Sequence, residues 1–372
     1  MSKYAALFCV FTYVFCACCG AQTPEAAGPI SMEGSGLAWY DARGLTVEGK
    51  GWEDTETFYD RLPARAKGEV PGAVWSLSLH SAGYCVHFRT NATTIATRYT
   101  LRNDRVAMPH MPATGVSGVD LYALHEGEWK WLAISRPERA GTSTFTLVDD
   151  IAGGTREYRL YLPLYNGIES LYIGVPEGAL FEPGAGFPED QKPVVFYGTS
   201  ITHGACASRP GMAHTAIAGR RLGRPVINLG FSGNGRMQPP VADFLGELDP
   251  AVFFIDCLPN MSAETVVDNA ETFLRKLRAA RPDTPIILSE DRTYGYAFLR
   301  PSVKASQAAR RQQLRKVFEQ LQAGGMKGLH YLPHTAQAGV EEALVDGSHP
   351  SDLGMMRQAA AFEPILREVL GQ

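Results

Sequence analysis

The sequence has no strong excess of charge of either sign. It contains 35 Lys and Arg against 39 Asp and Glu, a formal net charge of −4. Without a basic surface there is no electrostatic footprint for nucleic acid, and the basic stretch 310–316 is interpreted as the solvated face of a helix. Nucleic-acid binding is therefore excluded from the expected functions. The length of 372 residues predicts a folded protein of about two domains.

Cysteine is scarce once the first 21 residues are set aside. Four of the seven cysteines lie there, which leaves Cys85, Cys206 and Cys257. These three have no C-x-x-C or histidine-rich spacing, so we predict no metal and no cofactor. A disulfide between Cys206 and Cys257 is one interpretation. Dispersed cysteines are more typical of small buried hydrophobic side chains, which is the alternative.

Long apolar runs are missing, apart from one at the N-terminus. Within residues 1–21, Lys3 precedes the run LFCVFTYVFCACCG, which is shorter than the ~20 residues of a membrane span. We interpret this segment as an export signal. It is cleaved after Ala21, or it ends in a lipobox-like FCAC that leaves a lipid anchor on Cys18. The expected location is periplasmic, secreted or lipid-anchored at the cell surface, with that anchor as the only membrane contact.

Short stretches of alternating apolar and polar residues dominate the first half and predict a domain over residues 24–180. The predicted strands are 74–81, 84–90, 93–100, 119–126, 129–136, 143–150 and 156–163. Turn residues separate them at roughly ten-residue spacing, which is typical of an antiparallel β-sandwich. The tryptophans either form a sugar-stacking platform or, as the alternation favours, pack in the core: Trp39, Trp52, Trp75, Trp129 and Trp131. The stretch 177–193, rich in proline and glycine, predicts a linker or an ordered connector.

Strands alternate with helices in the second half, over residues 190–372. The predicted strands are 194–198, 225–230, 251–257, 285–290 and 328–333, and the predicted helices are 212–222, 239–246, 264–281, 302–323 and 352–370. This alternation predicts a parallel sheet covered by helices on both faces, with right-handed crossovers.

Polar residues follow several of these strands. Ser200 follows the first, Gly233 lies in a Ser-Gly-Asn segment after the second, and Asn260 follows the third. Asp346 and His349 have the D-x-x-H spacing, which lets the carboxylate reach imidazole Nδ1 while Nε2 points at a third group. Because open α/β sheets bind ligands at the carboxyl ends of their strands, we expect these groups to lie together.

These blocks, in this order, resemble the SGNH (GDSL-like) hydrolase family. In addition, the sequence GVDLY at residues 118–122 matches the GxDLY motif of a β-domain that precedes some of its members. The resemblance implies a flavodoxin-like three-layer α/β/α hydrolase domain after a jelly-roll-like antiparallel β-sandwich. It implies Ser200 as nucleophile, His349 as general base and Asp346 as the group that orients the imidazole. The implied oxyanion hole consists of the backbone N–H groups of Ser200 and Gly233 and the side-chain amide of Asn260.

The sequence departs from the family pattern at two blocks. The family's Gly-Asp-Ser reads GTS at 198–200, and its G-x-N-D block reads LPNM at 258–261, which keeps only the asparagine. Asn260 also begins an Asn-Met-Ser sequon, which we interpret as chance because a glycan would abolish an oxyanion role. Purely structural interpretations stand beside the catalytic ones, with Ser200 as a helix cap and His349 as a surface histidine.

The predicted function is an exported serine esterase that deacetylates a polysaccharide or oligosaccharide through an acyl-enzyme. The β-sandwich ahead of the hydrolase domain and the lack of a long apolar lid segment favour this substrate class. The alternatives are a short-chain lipid or thioester hydrolase and a non-catalytic glycan-binding protein. The expected partner is an acetylated carbohydrate.

Overall fold

The N-terminal part consists of two antiparallel sheets. A computed structural model describes residues 28–31 and 36–372, so the predicted export signal at 1–21, with Cys18, lies outside the described residues. The strands of this part are β1 (Ile30–Ser31), β2 (Leu37–Asp41), β3 (Thr46–Glu48), β4 (Cys85–Thr90), β5 (Ile95–Leu101), β6 (Asp120–His125), β7 (Glu128–Ile134), β8 (Gly141–Val148), β9 (Arg156–Tyr161), β10 (Ile168–Pro176) and β11 (Phe181–Pro183). One sheet has the order β1-β2-β10-β5-β8, and the other has the order β11-β4-β9-β6-β7 with β3 paired to β4.

The two sheets share one apolar core. Its fully buried members come from strands of both sheets and include Phe88, Tyr99, Leu121, Tyr158 and Ile173. Alternate residues of each strand point into this core, which explains the alternating pattern of the sequence. The predicted antiparallel sandwich is confirmed, while its jelly-roll connectivity stays a prediction. The predicted connector at 177–193 is ordered, since it contains β11, which pairs with β4.

One predicted strand is wrong. Residues 74–81 fall largely in helix α1 (Gly72–Ser78), which begins directly after Pro71. The serines between apolar residues in VWSLSL imitate strand alternation, but Val74, Trp75 and Ser78 are buried at the three- to four-residue spacing of a helix. A second short helix, α2 (Ala113–Val116), precedes β6. Tertiary packing, described below, overrides the local pattern at α1.

The C-terminal part is a parallel sheet flanked by helices. Its strands are β12 (Val194–Gly198), β13 (Val226–Gly230), β14 (Val252–Asp256), β15 (Ile286–Ser289) and β16 (Leu329–Leu332), and its helices are α3 (Ser200–His203), α4 (His214–Leu222), α5 (Pro239–Leu245), α6 (Ala263–Ala280), α7 (Pro301–Ala323) and α8 (Asp352–Leu370). The strands pair in the order β13-β12-β14-β15-β16, all in parallel. This is the flavodoxin-like order, and the predicted α/β/α domain is confirmed.

Both faces of the parallel sheet are buried. Along β12, Val195 and Tyr197 belong to the apolar cluster on one face, and Val194 and Phe196 belong to the cluster on the other. A strand buried on both faces has a continuous apolar run instead of an alternating one, as VVFYG does. Within the described ranges, no helix is long and apolar enough to span a bilayer.

The face of the parallel sheet that carries Val195 and Tyr197 is covered partly by the N-terminal part. Its cluster joins Val195, Leu229 and Phe244 to a set of residues that precede β4, namely Trp52, Leu62, Ala66, Val70, Val74 and Trp75. The Trp52 indole N–H also donates to Glu247 Oε2 at 2.7 Å. Helix α1 and the segment before it therefore pack as a layer of the α/β domain, although the chain returns to the sandwich immediately afterwards.

The GxDLY motif forms a second junction between the two parts. Asp120 is fully buried, and its Oδ2 accepts hydrogen bonds from Arg209 Nη1 and from the Gly211 N–H, both at 2.8 Å. The Tyr122 hydroxyl contacts the same arginine at 2.5 Å. A Cβ on Gly118 would lie 2.5 Å from the Thr114 carbonyl oxygen, so only glycine fits there. The motif thus docks β6 onto the loop that follows α3.

Three of the five tryptophans pack as the core interpretation expects. Trp39, Trp52 and Trp75 are buried. Trp131 is 49% exposed, but its indole N–H donates to Asp120 and its ring lies 5.1 Å from the Arg209 guanidinium carbon. Trp129 packs against the Arg159 guanidinium at 4.1 Å. Trp129 and Trp131 therefore pack against arginines, and the sugar-stacking platform stays a prediction.

Candidate active site

Ser200 is the first residue of α3, directly beyond the end of β12. Thr199 caps this helix, because its Oγ1 accepts a hydrogen bond from the Ile201 N–H at 3.3 Å. Ser200 therefore does not serve as the cap, and its hydroxyl is available for another partner. At Gly198 an added Cβ would lie 2.1 Å from Thr202 Oγ1, so a glycine is required for α3 to pack this close to the strand end.

The hydroxyl of Ser200 contacts the predicted base. Its Oγ lies 2.8 Å from His349 Nε2, and His349 Nδ1 lies 2.7 Å from Asp346 Oδ2. An ionised carboxylate can only accept hydrogen bonds, so Nδ1 carries the ring proton and Nε2 accepts from the serine. The structure thus brings together three predicted residues from two distant segments, in the order that nucleophilic catalysis requires.

The turn that carries His349 also fixes the carboxylate. Asp346 Oδ1 accepts from the backbone N–H groups of Ser348 at 3.0 Å and His349 at 2.8 Å. Burial alone would raise the pKa of Asp346, but these hydrogen bonds and the one from the His349 ring outweigh it and lower the pKa to about 2. Gly347 has a φ of 80°, and a Cβ there would lie 2.4 Å from the Tyr296 ring. The turn therefore presents an ionised carboxylate to the imidazole.

The predicted oxyanion donors lie at the ends of adjacent strands. Gly198 of β12 is paired in register with Gly230 of β13 and with Asp256 of β14. Ser200, Gly233 and Asn260 follow these three positions within a few residues, so they emerge at the same edge of the sheet. The Ser200 N–H lies in the first turn of α3, where amides have no acceptor within the helix.

The other two donors are unpaired. Within the described residues the Gly233 N–H has no hydrogen-bond acceptor, and the glycine has a φ of 70° in an exposed turn. Asn260 Nδ2 is buried and likewise finds no acceptor in the described part of the chain. An unsatisfied buried amide costs about 1–3 kcal/mol, which an oxyanion would offset. Burial of this nitrogen also argues against a glycan on the sequon.

The N-terminal part contributes residues to this region that the sequence did not predict. The Tyr165 hydroxyl donates to the Ser200 carbonyl oxygen at 3.2 Å, and its ring stacks on His203 with centroids 4.2 Å apart. The His110 ring lies 5.7 Å from the His349 ring. Buried Arg61 donates to the carbonyls of β13. No motif marks any of these residues, and 35 or more positions separate Arg61 and Tyr165 from the carbonyl groups that they contact at the site.

A cavity of about 850 Å³ lies between the two parts. Ser232 and Asn234, on either side of Gly233, form one wall. The N-terminal part forms the rest, with the apolar side chains Leu77, Leu79, Met108 and Val116 and the polar stretch 102–105. The cavity therefore adjoins one of the predicted oxyanion donors.

The cysteines are buried and unpaired. Cys85, Cys206 and Cys257 are free, so the predicted alternative of a disulfide between Cys206 and Cys257 is wrong and the buried-side-chain interpretation is correct. Burial, followed by the charge of Asp346, raises the pKa of Cys206 to about 12. Metal-ligand atoms lie within 4.8 Å of one another in two groups, Cys206 with Asp346 and His349, and Glu48 with Cys85 and His87. In each group the histidine and the carboxylate are within hydrogen-bond distance of each other, at 2.7 Å in the first group and 2.9 Å in the second.

A flavodoxin-like sheet with a serine, a histidine and an aspartate in line at its carboxyl edge is the arrangement of an SGNH-type hydrolase. The model of the GDSL-like lipase/acylhydrolase family matches residues 191–367, and the model of the N-terminus of SGNH-hydrolase-type esterases matches residues 37–181. The structure is similar to that of a Bacteroides ovatus ATCC 8483 protein described as a GDSL-like lipase. Identity is 31%, the TM-score is 0.85, and the match covers 90% of this chain and 98% of the other. The chain therefore belongs to the GDSL-like lipase/acylhydrolase family.

More distant structures share the fold. The salicylyl-acyltransferase SsfX3 from a tetracycline biosynthetic pathway is 21% identical with a TM-score of 0.70, covering 94% of this chain and 98% of that one. An acetyl xylan esterase from Butyrivibrio proteoclasticus is 14% identical with a TM-score of 0.54, covering 90% and 99%. A family two carbohydrate esterase from Clostridium thermocellum, in complex with cellohexaose, is 15% identical with a TM-score of 0.53, covering 78% and 95%. No curated protein sequence matches the chain.

Proposed function

We propose that the protein is an exported serine esterase that removes acetyl groups from a polysaccharide or oligosaccharide. The observation that carries this proposal is the line of hydrogen bonds from Ser200 Oγ to His349 Nε2 at 2.8 Å and from His349 Nδ1 to Asp346 at 2.7 Å. Serine is a weak nucleophile until a base takes its proton, and this line supplies an oriented base. It also argues against the non-catalytic glycan-binding alternative.

In the first half of the proposed reaction, Ser200 attacks the ester carbonyl. Nε2 of His349 takes the hydroxyl proton as the Oγ–C bond forms, and the ionised Asp346 stabilises the resulting imidazolium. Negative charge develops on the carbonyl oxygen, where the N–H groups of Ser200 and Gly233 and the amide of Asn260 would donate. The imidazolium then returns its proton to the leaving sugar oxygen, the C–O bond breaks, and an acyl-enzyme remains.

In the second half, water replaces the sugar. His349 Nε2 accepts a proton from water as its oxygen adds to the acyl carbon. The same three donors stabilise the second oxyanion, each contributing on the order of 2.7–4 kcal/mol in comparable enzymes. Collapse of this intermediate breaks the bond to Ser200 Oγ, which recovers its proton from the imidazolium, and acetic acid leaves.

The sugar substrate is supported by the cavity and by two of the distant relatives. A volume of about 850 Å³ is far larger than an acetyl group requires and falls in the range of about 300–1,000 Å³ that is typical of ligand sites. The polar stretch 102–105 in its wall offers hydrogen-bond partners for hydroxyl groups. An acetyl xylan esterase and a cellohexaose-bound carbohydrate esterase have the same fold.

Release of acetate from acetylated xylan, mannan and pectin tests the substrate class. We expect wild-type protein to release acetate from at least one of these polymers, with Ser200→Ala as the matched blank. Export is tested separately, by fractionating producing cells and determining the N-terminus of the mature chain. A cut after residue 21 or a lipid on Cys18 would support export, and an intact Met1 in the cytoplasmic fraction would contradict it.

A second candidate is a short-chain lipid or thioester hydrolase. The observation that favours it is the apolar part of the same cavity, where Leu77, Leu79, Met108 and Val116 could bury a chain at about 0.8 kcal/mol per methylene. A series of p-nitrophenyl esters from acetate to octanoate separates the two candidates. The polysaccharide proposal predicts that acetate has the highest kcat/KM, and faster octanoate hydrolysis would favour the second candidate.

A further inference from the structure

We propose that Arg61 of the N-terminal part is a positioning residue for the oxyanion loop, which we define as Phe231–Gly235. The inference rests on the proposed function in one respect, namely that the Gly233 N–H donates to the oxyanion. It assigns to the N-terminal part a role in the chemical step, in addition to any contact with substrate.

The guanidinium of Arg61 contacts the end of the strand that leads into this loop. Nη1 donates to the carbonyl oxygens of Gly230 at 2.8 Å and Asn228 at 3.2 Å. The guanidinium carbon also lies 5.0 Å from the ring centroid of Phe231, the first residue of the loop. These contacts fix the direction in which β13 ends.

The same guanidinium also donates hydrogen bonds within the N-terminal part. Nε donates to the His80 carbonyl oxygen at 2.9 Å, and Nη2 donates to the Leu77 carbonyl oxygen at 2.6 Å. Because the N–H groups of a guanidinium are planar and rigid, they fix the orientation of the carbonyl groups after α1 relative to those at the end of β13. Arg61 therefore connects the end of α1 to the end of β13.

The charge of Arg61 is buried, and the carboxylate that acts on it, Asp60, forms its ion pair with Arg102 at 2.9 Å. The Arg61 side chain is 2% exposed, and within the described residues it forms no ion pair with a carboxylate. Burial lowers the pKa of Arg61 to about 9. A guanidinium buried among carbonyl groups costs more to desolvate than an apolar side chain of similar size. The hydrogen bonds to carbonyl groups on both sides of the junction offset part of this cost, and Nη2 also lies 3.3 Å from His203 Nε2.

The oxyanion loop packs directly on the turn that precedes the nucleophile. The Phe231 N–H donates to the Gly198 carbonyl oxygen at 2.9 Å. A Cβ on Gly235 would lie 1.9 Å from the same oxygen, so the two backbones are in contact. A shift at the end of β13 would therefore change the distance between the Gly233 N–H and Ser200. Misplacing catalytic groups by about 1 Å can cost on the order of a hundredfold in rate.

Arg65 provides a matched control on the same segment. It also joins the N-terminal part to the α/β domain, through a 2.7 Å ion pair with Glu247 and a contact of 5.5 Å with the Phe244 ring. Its contacts lie at α5 and its neighbouring turn, not at the oxyanion loop. Arg65→Met therefore removes a cross-junction arginine without the proposed positioning effect.

The experiment compares Arg61→Met, Arg61→Lys and Arg65→Met with the wild type. Thermal unfolding establishes the temperature at which each is folded, and kcat and KM are then measured with p-nitrophenyl acetate. We expect Arg61→Met to lower kcat by about tenfold to a hundredfold with KM within about twofold, because the loop acts on the transition state. Arg61→Lys should lie between, since it keeps the charge but loses the rigid fork. Arg65→Met should keep kcat within about twofold.

Hydrogen exchange of the peptide spanning residues 228–235 gives a readout that does not depend on activity. It should exchange faster in both Arg61 variants than in the wild type or Arg65→Met. Unchanged kcat in a folded Arg61→Met would overturn the inference. If that variant does not fold, unchanged kcat in Arg61→Lys would overturn it equally. A wild-type protein that does not hydrolyse the ester at all would instead refute the proposed function, and exchange alone would then decide whether Arg61 holds the loop.

Discussion

The parallel sheet and the antiparallel sandwich contribute to the candidate site in different ways. The groups assigned to the proposed reaction all lie on the parallel-sheet part, where Ser200, Asn260 and His349 lie beyond the strand ends at one edge of the sheet. The N-terminal part supplies side chains that contact the backbone beneath those groups, such as Arg61 and Tyr165. The candidate catalytic residues therefore lie on the parallel-sheet part, and the N-terminal part contacts the backbone beneath them and forms most of a cavity beside them.

The two parts also differ in the independence of their cores. The sandwich core draws its buried residues from the sandwich strands and nearby loops. The larger core of the parallel sheet includes Trp52, Val74 and Trp75, which lie inside the segment matched by the N-terminal family model. A boundary drawn between the two family models thus does not separate two packing units. Deleting residues 24–180 is expected to expose one face of the parallel sheet, so it should abolish folding instead of merely weakening polysaccharide binding.

Among the predicted substitutions, Ser200→Ala on the parallel-sheet part should cause the largest loss of kcat. Removing the nucleophile should lower kcat by at least a thousandfold, because comparable serine hydrolases lose several orders of magnitude. The melting temperature should stay close to wild type, since Thr199 and not Ser200 caps α3. Steady-state hydrolysis of p-nitrophenyl acetate and a thermal melt check both statements. Residual activity above a tenth of wild type would remove Ser200 from the reaction.

Asp346→Asn should have a smaller effect than Ser200→Ala. The substitution removes the charge that stabilises the imidazolium, while the serine and the oxyanion donors remain, so we expect a loss of about tenfold to a thousandfold in kcat. Because the pKa of Asp346 is lowered to about 2, this carboxylate stays ionised above pH 4, and protonation of it should not limit wild-type activity there. A pH profile of kcat from 4 to 9 for both proteins checks the expectation. Equal activity of the two proteins would assign Asp346 a structural role.

A pair of matched substitutions tests whether α1 belongs to the parallel-sheet core. Val74 and Val119 are both fully buried, but in the parallel-sheet core and the sandwich core respectively. Replacing either by alanine should cost about 2 kcal/mol of unfolding free energy. In hydrogen exchange, Val74→Ala should lower the protection of β13, and Val119→Ala should lower that of β9. Undiminished protection of β13 in Val74→Ala would separate α1 from that core.

A further effect concerns the carboxyl group of Asp256, which is buried beneath the site. Burial raises the pKa of Asp256 from the ordinary 3.8 to about 7, with the nearby charge of Arg292 opposing the shift. Between these values the native state keeps a proton that the unfolded chain releases, so the free energy of unfolding falls as pH rises from about 4 to 7. Asp256→Asn should therefore gain stability relative to wild type across this range. The melting temperature of each protein is measured from pH 4 to 8. A constant difference between the two across this range would refute the raised pKa.

Much of the parallel-sheet part is predictable from sequence because its signals are local. Continuous apolar runs such as VVFYG mark strands buried on both faces, and the helix at Ala263–Ala280 shows the period of a one-sided helix. The D-x-x-H spacing is local as well, so the contact between Asp346 and His349 follows from a single turn. The link to Ser200 came from the family resemblance, since 149 positions separate the two residues.

What the sequence did not predict depends on contacts between distant segments. The sequence of helix α1 has the alternating pattern of a strand. It folds as a helix because a helix buries Val74 and Trp75 together against the parallel sheet. Arg61 belongs to a residue type that is usually exposed, so nothing in its neighbourhood indicates burial among carbonyl groups. The capping role of Thr199 was also missed, because α3 is too short for any periodicity to reveal.

Covalent labelling tests the central claim most directly. An organophosphate such as diethyl p-nitrophenyl phosphate reacts with an activated serine and places a negatively polarised oxygen where the oxyanion forms. The account predicts one adduct per chain, mapped by mass spectrometry to the peptide with Ser200, with loss of esterase activity in proportion and no adduct in Ser200→Ala. An adduct on another side chain, or full activity after complete labelling of Ser200, would contradict it.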